Sequence, residues 1–322
     1  MVRLITGAGG MMGSHLYERV NDSGCGYLRY AVPTYHNPTL DSRDPIIGEL
    51  NQPSSKIHLK YLSTSSGTEM DLLDYDRVKF VLSDVRPTVI YHLAAQSRPD
   101  VSFKNPALTV QTNVGGTTNL LCACAEALDY RPLIINVSSS AVYGDIDWST
   151  PPDEESRCRP LSPYGTSKLA QEHIVRNFHQ MGYIQYVNVR VFNCTGPRKI
   201  NDFVSDVCRK VVNKETLKVG NLDGVRSIVD VRDLVRGLKM CEGMSVRNKT
   251  INLGSDVSHK IGDVLKMIAG DTPYEVDESL FRATDEPIIL GNINKAKDLL
   301  GWEPEITLEQ TISDTLDYWR NL

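Results

Sequence analysis

A chain of 322 residues is longer than one hydrophobic core usually serves, so two lobes that share an interface are expected. With 41% hydrophobic and 23% charged residues it has the composition of a soluble globular enzyme, and no apolar run approaches the roughly 20 residues of a membrane span. A net charge of −5 without a basic stripe excludes a general nucleic-acid binder, so any phosphate must rest on a few placed arginines.

Met1 runs straight into the apolar Val2–Ile5, which leaves no room for a targeting peptide and gives a cytoplasmic expectation. The first strand, Val2–Thr6, ends in Thr6-Gly7-Ala8-Gly9-Gly10-Met11-Met12-Gly13, just before a helix predicted over Met12–Asn21. Glycines in such a turn permit positive φ, let the backbone approach a pyrophosphate and aim helix N-terminal amides at it. Gly7, Gly10, Met11, Met12 and Gly13 are therefore expected to bind a dinucleotide. NAD binders commonly place an acid about 20 residues further on, to hold the ribose 2′-hydroxyl. Leu28–Asn37 contains no Asp or Glu, and an acid would repel a 2′-phosphate, so NADP(H) is expected over NAD(H), with Arg29 and Arg43 as candidate phosphate partners. Tyr35–Glu69 has no clear period and reads as a loop or lid. Asp71 and Leu72 are expected near the adenine.

Beyond this, short β-branched runs alternate with helical periods. Strands are predicted over Thr88–Leu93, Leu133–Ser138 and Tyr186–Phe192, and helices over Pro106–Leu128 and Pro163–Met181. That alternation is the sequence form of β-α-β units, so the class is α/β: a Rossmann-type, doubly wound parallel sheet. After Phe192 the pattern loosens. Phe203–Lys214 reads as helix and Leu217–Gly220 as extended. An amphipathic helix at Asp230–Gly243 and a strand at Lys249–Leu253 return to the sheet. Helices at His259–Ala269, Lys295–Gly301 and Leu308–Arg320 complete a smaller mixed α/β substrate-binding lobe. The expected division is 1–192 with 225–254 for the cofactor, and 193–224 with 255–322 for the substrate. Seven cysteines without a Cys-x-x-Cys pair or a His-rich tract give no zinc site.

"SPYGTSKLAQEH" makes Ser162 a natural N-cap, puts Pro163 at the first helical position, and sets Tyr164 and Lys168 one turn apart on one face. A neighbouring ammonium favours the phenolate, so Tyr164 is expected to act as acid or base with Lys168 lowering its pKa. Tyr75 and Lys79 have the same spacing and read as surface. Position separates the pairs: Tyr164 follows a strand that ends in three serines, and Ser139 could share one substrate oxygen with it.

The Thr6–Gly13 turn, "LAAQS" at 93–97, Asn113, "SSSAVYG" at 138–144, "SPYGTSK" at 162–168 and "LGWEP" at 300–304 together resemble the extended short-chain dehydrogenase/reductases acting on nucleotide sugars. The resemblance covers almost the whole chain. It implies Ser139, Tyr164 and Lys168 as the catalytic triad, with Tyr164 and Lys168 also at the cofactor. It places Leu93, Ala94, Ala95 and Asn113 in the cofactor site and Gln96 beside the substrate. It implies a homodimer through helices 106–128 and 163–181, to which the 35–69 insertion could add a tetramer contact. Segments 94–106, 191–204, 219–233 and 280–302 resemble the GDP-mannose 4,6-dehydratases and GDP-4-keto-6-deoxymannose reductases. That implies a GDP-linked sugar lined by Asn193, Asn221, Arg226 and Arg282, with the arginines on the diphosphate. Cys194 departs from the histidine usual there.

Elimination at C5–C6 needs a base and an acid, which dehydratases supply as carboxylates directly after the position of Ser139. Here those positions are Ser140 and Ala141, so a dehydratase is disfavoured. NADPH-dependent reduction of a C4 ketone needs only Ser139, Tyr164 and Lys168. A 4-epimerase with tightly bound cofactor uses the same residues, and a non-catalytic NADP binder is the remaining alternative.

Overall fold

The computed structural model describes residues 1–8, 10–21, 27–30, 71–200, 202–281 and 288–322, with backbone alone for Asn21 and 27–30. Six parallel strands form the central sheet: β1 (Arg3–Thr6), β2 (Tyr27–Tyr30), β3 (Val89–His92), β4 (Leu133–Ser139), β5 (Gln185–Val191) and, after four short strands, β10 (Lys249–Leu253). Their spatial order is β10-β5-β4-β3-β1-β2. β1, β3, β4 and β5 are buried almost throughout, which is why they read as apolar runs and not as alternations.

Helices cover both faces. On one, Ile5, Tyr91, Ile135, Val187 and Ile251 pack with Leu16 of the helix Met11–Asn21 and Leu234 of the helix Val231–Met240. On the other, the register row Leu4–Ile90–Ile134–Tyr186 packs on the helices Tyr75–Val85 and Gly116–Ala127. Two residues towards the carboxyl ends, the same face turns polar, with Thr6, His92, Asn136 and Asn188 in register and all buried. Apolar anchoring and a polar layer thus divide one sheet face lengthwise.

A separate apolar core joins Val204 and Val207, Leu217 and Val219, Val264 and Leu265, and Leu308 and Ile312. Around it lie β7 (Leu217–Val219) paired with β12 (Tyr274–Val276), and β8 (Val225–Ser227) between β11 (Ser258–Lys260) and β13 (Ile288–Ile289). β6 (Cys194–Thr195) pairs with β9 (Val229–Asp230), and the buried Asp230 caps the helix that follows while accepting from Thr311 Oγ1 at 2.8 Å.

Two elements differ from the sequence reading. Where a single helix is expected over 106–128, a separate helix Pro99–Lys104 precedes Pro106–Val110, a π-helical turn at Gln111–Gly115 and then Gly116–Ala127. Asn105 caps the second of these by accepting from Leu108 N, and the π turn absorbs one extra residue so that Asn113 faces inward. The helix Tyr75–Val85 was not anticipated. Asp74 caps it, and Val78, Val81, Leu82 and Val85 form its buried stripe.

Candidate active site

The chain leaves β1 for β2 on one side and returns to β3 on the other, so the crevice at the carboxyl ends of β1 and β3 is where ligands settle in open α/β sheets. Gly7 sits there with φ +74°, and a Cβ on it would lie 2.8 Å from Ala94 N. A Cβ on Gly13 would lie 2.2 Å from Gly7 O. Only glycine lets the turn, the helix start and the β3 exit close on each other this tightly. Gly10 N donates to Gly7 O at 3.1 Å, and Met11 and Met12 pack against the core beneath. Leu93 is half-buried, while Ala94 and Ala95 are buried, at the crevice floor. Leu72 is buried beside Gly116, whereas Asp71 is exposed and accepts from Leu73 N.

Ser139 ends β4. Tyr164 and Lys168 lie in the first two turns of the helix Pro163–Gln180, whose start is fixed by Ser162 Oγ accepting from Gly165 N at 3.0 Å. A side chain on Gly165 would strike the Ala141 carbonyl at 2.4 Å, so this glycine lets the helix butt against the strand end. The Tyr164 hydroxyl lies beside Ser139. Burial pushes the phenol above its ordinary pKa and Ser139 draws it back. Lys168 donates to Val137 O at 3.0 Å, and burial lowers it to about 8 against the pull of Glu172. The expectation that Lys168 lowers the tyrosine therefore does not match this balance: desolvation dominates, and the protonated phenol is the resting form. Tyr75 and Lys79 stand apart, Lys79 pairing with Glu126 at 2.6 Å on the outer helix.

A buried hydrogen-bond chain, not anticipated from the sequence, joins the two halves of the site. Ala94 N donates to Thr6 Oγ1 at 3.3 Å, and Thr6 Oγ1 and His92 Nδ1 are 2.9 Å apart. His92 Nε2 lies 2.8 Å from Thr117 Oγ1, whose proton goes to Asn113 O at 2.6 Å. That assigns the ring proton to Nε2 and makes Nδ1 the acceptor. Burial, reinforced by Lys168, lowers His92 to about 3, so the ring stays neutral. Asn113 accepts from Gln96 N at 2.7 Å and donates to Gln96 O at 3.0 Å and to Ser167 Oγ at 2.9 Å. Ser167 Oγ in turn donates to Tyr164 O at 2.7 Å. Asn113 is fully buried, and its amide is committed to these partners, which makes it a support for the Ala94–Gln96 loop. Gln96 is likewise buried, its side chain donating to Thr109 Oγ1 at 2.9 Å. Asn113→Ala is expected to destabilise the protein by about 1–3 kcal/mol, because it strands the Gln96 N–H and C=O; thermal melting checks this.

On the substrate side, Asn193 Nδ2 donates to Ser227 O at 3.1 Å, next to Arg226 of β8, so these two come together beyond the end of β5. Asn221 is exposed in the turn before β8 and accepts from Asp223 N. Arg282, Arg43 and the 35–69 segment lie outside the described residues, as does the Arg29 side chain.

A family model described as GDP-mannose 4,6 dehydratase matches residues 4–315, and the chain belongs to that family. It is 28% identical over 263 residues to GDP-6-deoxy-D-mannose reductase of Pseudomonas aeruginosa, covering 78% of this chain and 86% of that protein. Its fold superposes on RMD from Pseudomonas aeruginosa complexed with NADPH (TM-score 0.76, 25% identity, 99% of each chain). It also superposes on UDP-glucuronic acid 4-epimerase from Bacillus cereus in complex with UDP-glucuronic acid and NAD (TM-score 0.83, 27% identity, 100% of this chain and 99% of that one). The protein is thus a nucleotide-sugar enzyme of the extended short-chain dehydrogenase/reductase type that uses a nicotinamide cofactor. Among the described residues, no helix is long and apolar enough to cross a membrane.

Proposed function

We propose that this protein reduces the C4 ketone of a GDP-4-keto-6-deoxy sugar with NADPH. The observation that carries the reading is the strand end after Ser139: Ser140 and Ala141 occupy the turn, and neither can remove or return a proton at C5 or C6. The Gly7–Gly13 turn and the Ala94–Ala95 floor would hold the cofactor, consistent with a turn, helix start and β3 exit that close on each other only because Gly7 and Gly13 lack a Cβ. NADPH, when bound, supplies hydride. Ser139 hydrogen bonds the carbonyl oxygen, and Tyr164, kept protonated by burial, gives its hydroxyl proton to the same oxygen as it becomes an alcohol. Lys168 holds the tyrosine and the cofactor ribose in place. Asn193, Asn221, Arg226 and Arg282 would grip the GDP moiety, and helices 106–128 and 163–181 would form the homodimer interface in the cytoplasm.

Purified protein with NADPH is expected to lose cofactor absorbance on addition of GDP-4-keto-6-deoxymannose. A second reading, a 4-epimerase, is favoured by the likeness to the Bacillus cereus enzyme. Interconversion of a nucleotide hexose with tightly bound oxidised cofactor and no net redox would replace the first reading with the second. NADPH is expected to bind at least about tenfold more tightly than NADH, since no acid in Leu28–Asn37 opposes a 2′-phosphate; competition titration checks it, and a reversed order overturns it.

A further inference from the structure

One side chain of β10 joins separate stretches of the chain and takes no part in the steps above. Asn252 is fully buried. Its Nδ2 donates to Pro152 O at 3.1 Å and to Asn292 O at 3.0 Å, and its Oδ1 accepts from the Tyr143 hydroxyl at 2.7 Å. Its backbone N donates to Glu154 Oε1 at 2.6 Å. Two carbonyl oxygens can only accept, so the amide stands one way round with both N–H groups committed.

These partners belong to opposite sides of the site. Tyr143, Pro152 and Glu154 lie in the stretch that leads from Ser139 to Tyr164. Arg190, opposite Asn252 in the sheet and paired with Glu172 at 2.8 Å, donates to Glu154 O at 3.1 Å, so that stretch is fastened to both β5 and β10. Asn292 instead follows β13, whose Ile289 stands opposite Arg226 of β8. Ile288 and Ile289 pack on Val142, Tyr143, Trp148 and Phe192, and Phe192 leads into Asn193. Other polar links between the two sides are weaker. Asn292 N donates to Pro152 O at a long 3.4 Å, and Lys295 meets the exposed Glu155 at 3.3 Å, a kind of pair that contributes little. We propose that Asn252 is a positioning residue: by bonding Pro152 O and Asn292 O with one amide, it sets the spacing between the stretch after Ser139 and the β8–β13 strands that carry Arg226. The inference rests on the reading that Ser139 and Arg226 face one nucleotide-sugar.

The test is Asn252→Asp, which keeps the shape and the acceptor for Tyr143 but turns an oxygen towards two carbonyl oxygens, with Tyr143→Phe as the contrast. Each variant loses buried hydrogen bonding, so both should melt below the wild type. Asn252→Asp should also raise KM for the nucleotide-sugar by about tenfold while leaving NADPH affinity within about twofold, because the glycine turn lies outside the link. Tyr143→Phe leaves both carbonyls bonded and should keep KM within about twofold. A lowered melting temperature with unchanged KM in Asn252→Asp, or an equal rise in KM in both variants, would overturn the proposal. Calorimetric titration with GDP and with UDP repeats the comparison without turnover, since both carry the diphosphate assigned to Arg226. Binding of UDP in place of GDP would fault the substrate assigned above, whereas equal affinity of wild type and Asn252→Asp for the nucleotide that binds would fault this inference. Should Asn252→Asp melt below assay temperature, Asn252→Ser, whose single hydroxyl can bond one carbonyl at a time, should raise KM by about threefold, and an unchanged KM there overturns the proposal equally.

Discussion

Tyr164→Phe is expected to lower kcat by about 10³-fold while leaving NADPH affinity within about threefold. The phenol is buried and lies beside Ser139, and phenylalanine keeps the ring and the helix start while deleting the proton. Removing a general acid costs the barrier rather than the binding, so the loss should appear in kcat and be insensitive to substrate concentration. Tyr75→Phe shares the Tyr-x-x-x-Lys spacing and should change kcat by less than about twofold, since Lys79 is occupied by Glu126 on the outer helix. Equal losses in the two variants would show that spacing, and not position at the end of β4, carries the chemistry.

Gly13→Ala is expected to abolish measurable cofactor binding. A Cβ there would meet Gly7 O at 2.2 Å and Ala8 Cα at 2.7 Å, both backbone atoms that cannot turn aside. Relief requires the helix Met11–Asn21 to slide away from β1, which would spoil the amide cradle at its N-terminus and the packing of Leu16 beneath it. Overpacking of this kind costs about 1–3 kcal/mol in stability, so the variant should still fold. The measurement is a paired melting curve and NADPH titration; a variant that melts within a degree or two of wild type and binds normally would mean that the turn does not contact the cofactor. Gly10→Ala is the useful contrast, because its Cβ would come no nearer than 3.4 Å to Gly7 O.

The parallel sheet was readable because its strands are buried on both faces and stand as short apolar runs between helical periods, as at Thr88–Leu93 and Leu133–Ser138. The caps were readable too: Ser162 before Pro163 behaves as its residue types dictate. The polar layer across the ends of β1, β3, β4 and β5 was not. His92 in "IYHLAAQ" and Arg190 in "VNVRVFN" interrupt apolar runs, and a single polar residue at a strand end reads as the start of a loop. Only register, which aligns Thr6, His92, Asn136 and Asn188, reveals a shared layer. The interruption itself was the available signal, since a strand buried on both faces admits a charged residue only where a partner meets it. The π turn at Gln111–Gly115 left a fainter mark. Gly115 and Gly116 in a predicted helix cost helical stability, and that penalty was the hint of a local deformation.

The chain of bonds from Ala94 through His92 and Asn113 to Tyr164 also sets an order of events during synthesis. Its members are spread from Thr6 to Ser167, so the Ala94–Gln96 loop lacks its last support until residues beyond 167 have left the ribosome. A nascent chain halted near residue 130 would carry the glycine turn and β3 yet have no Ser167 to receive the Asn113 amide, and would leave His92 without β4 beside it. Competence to bind cofactor should therefore arise late, when the helix Pro163–Gln180 docks.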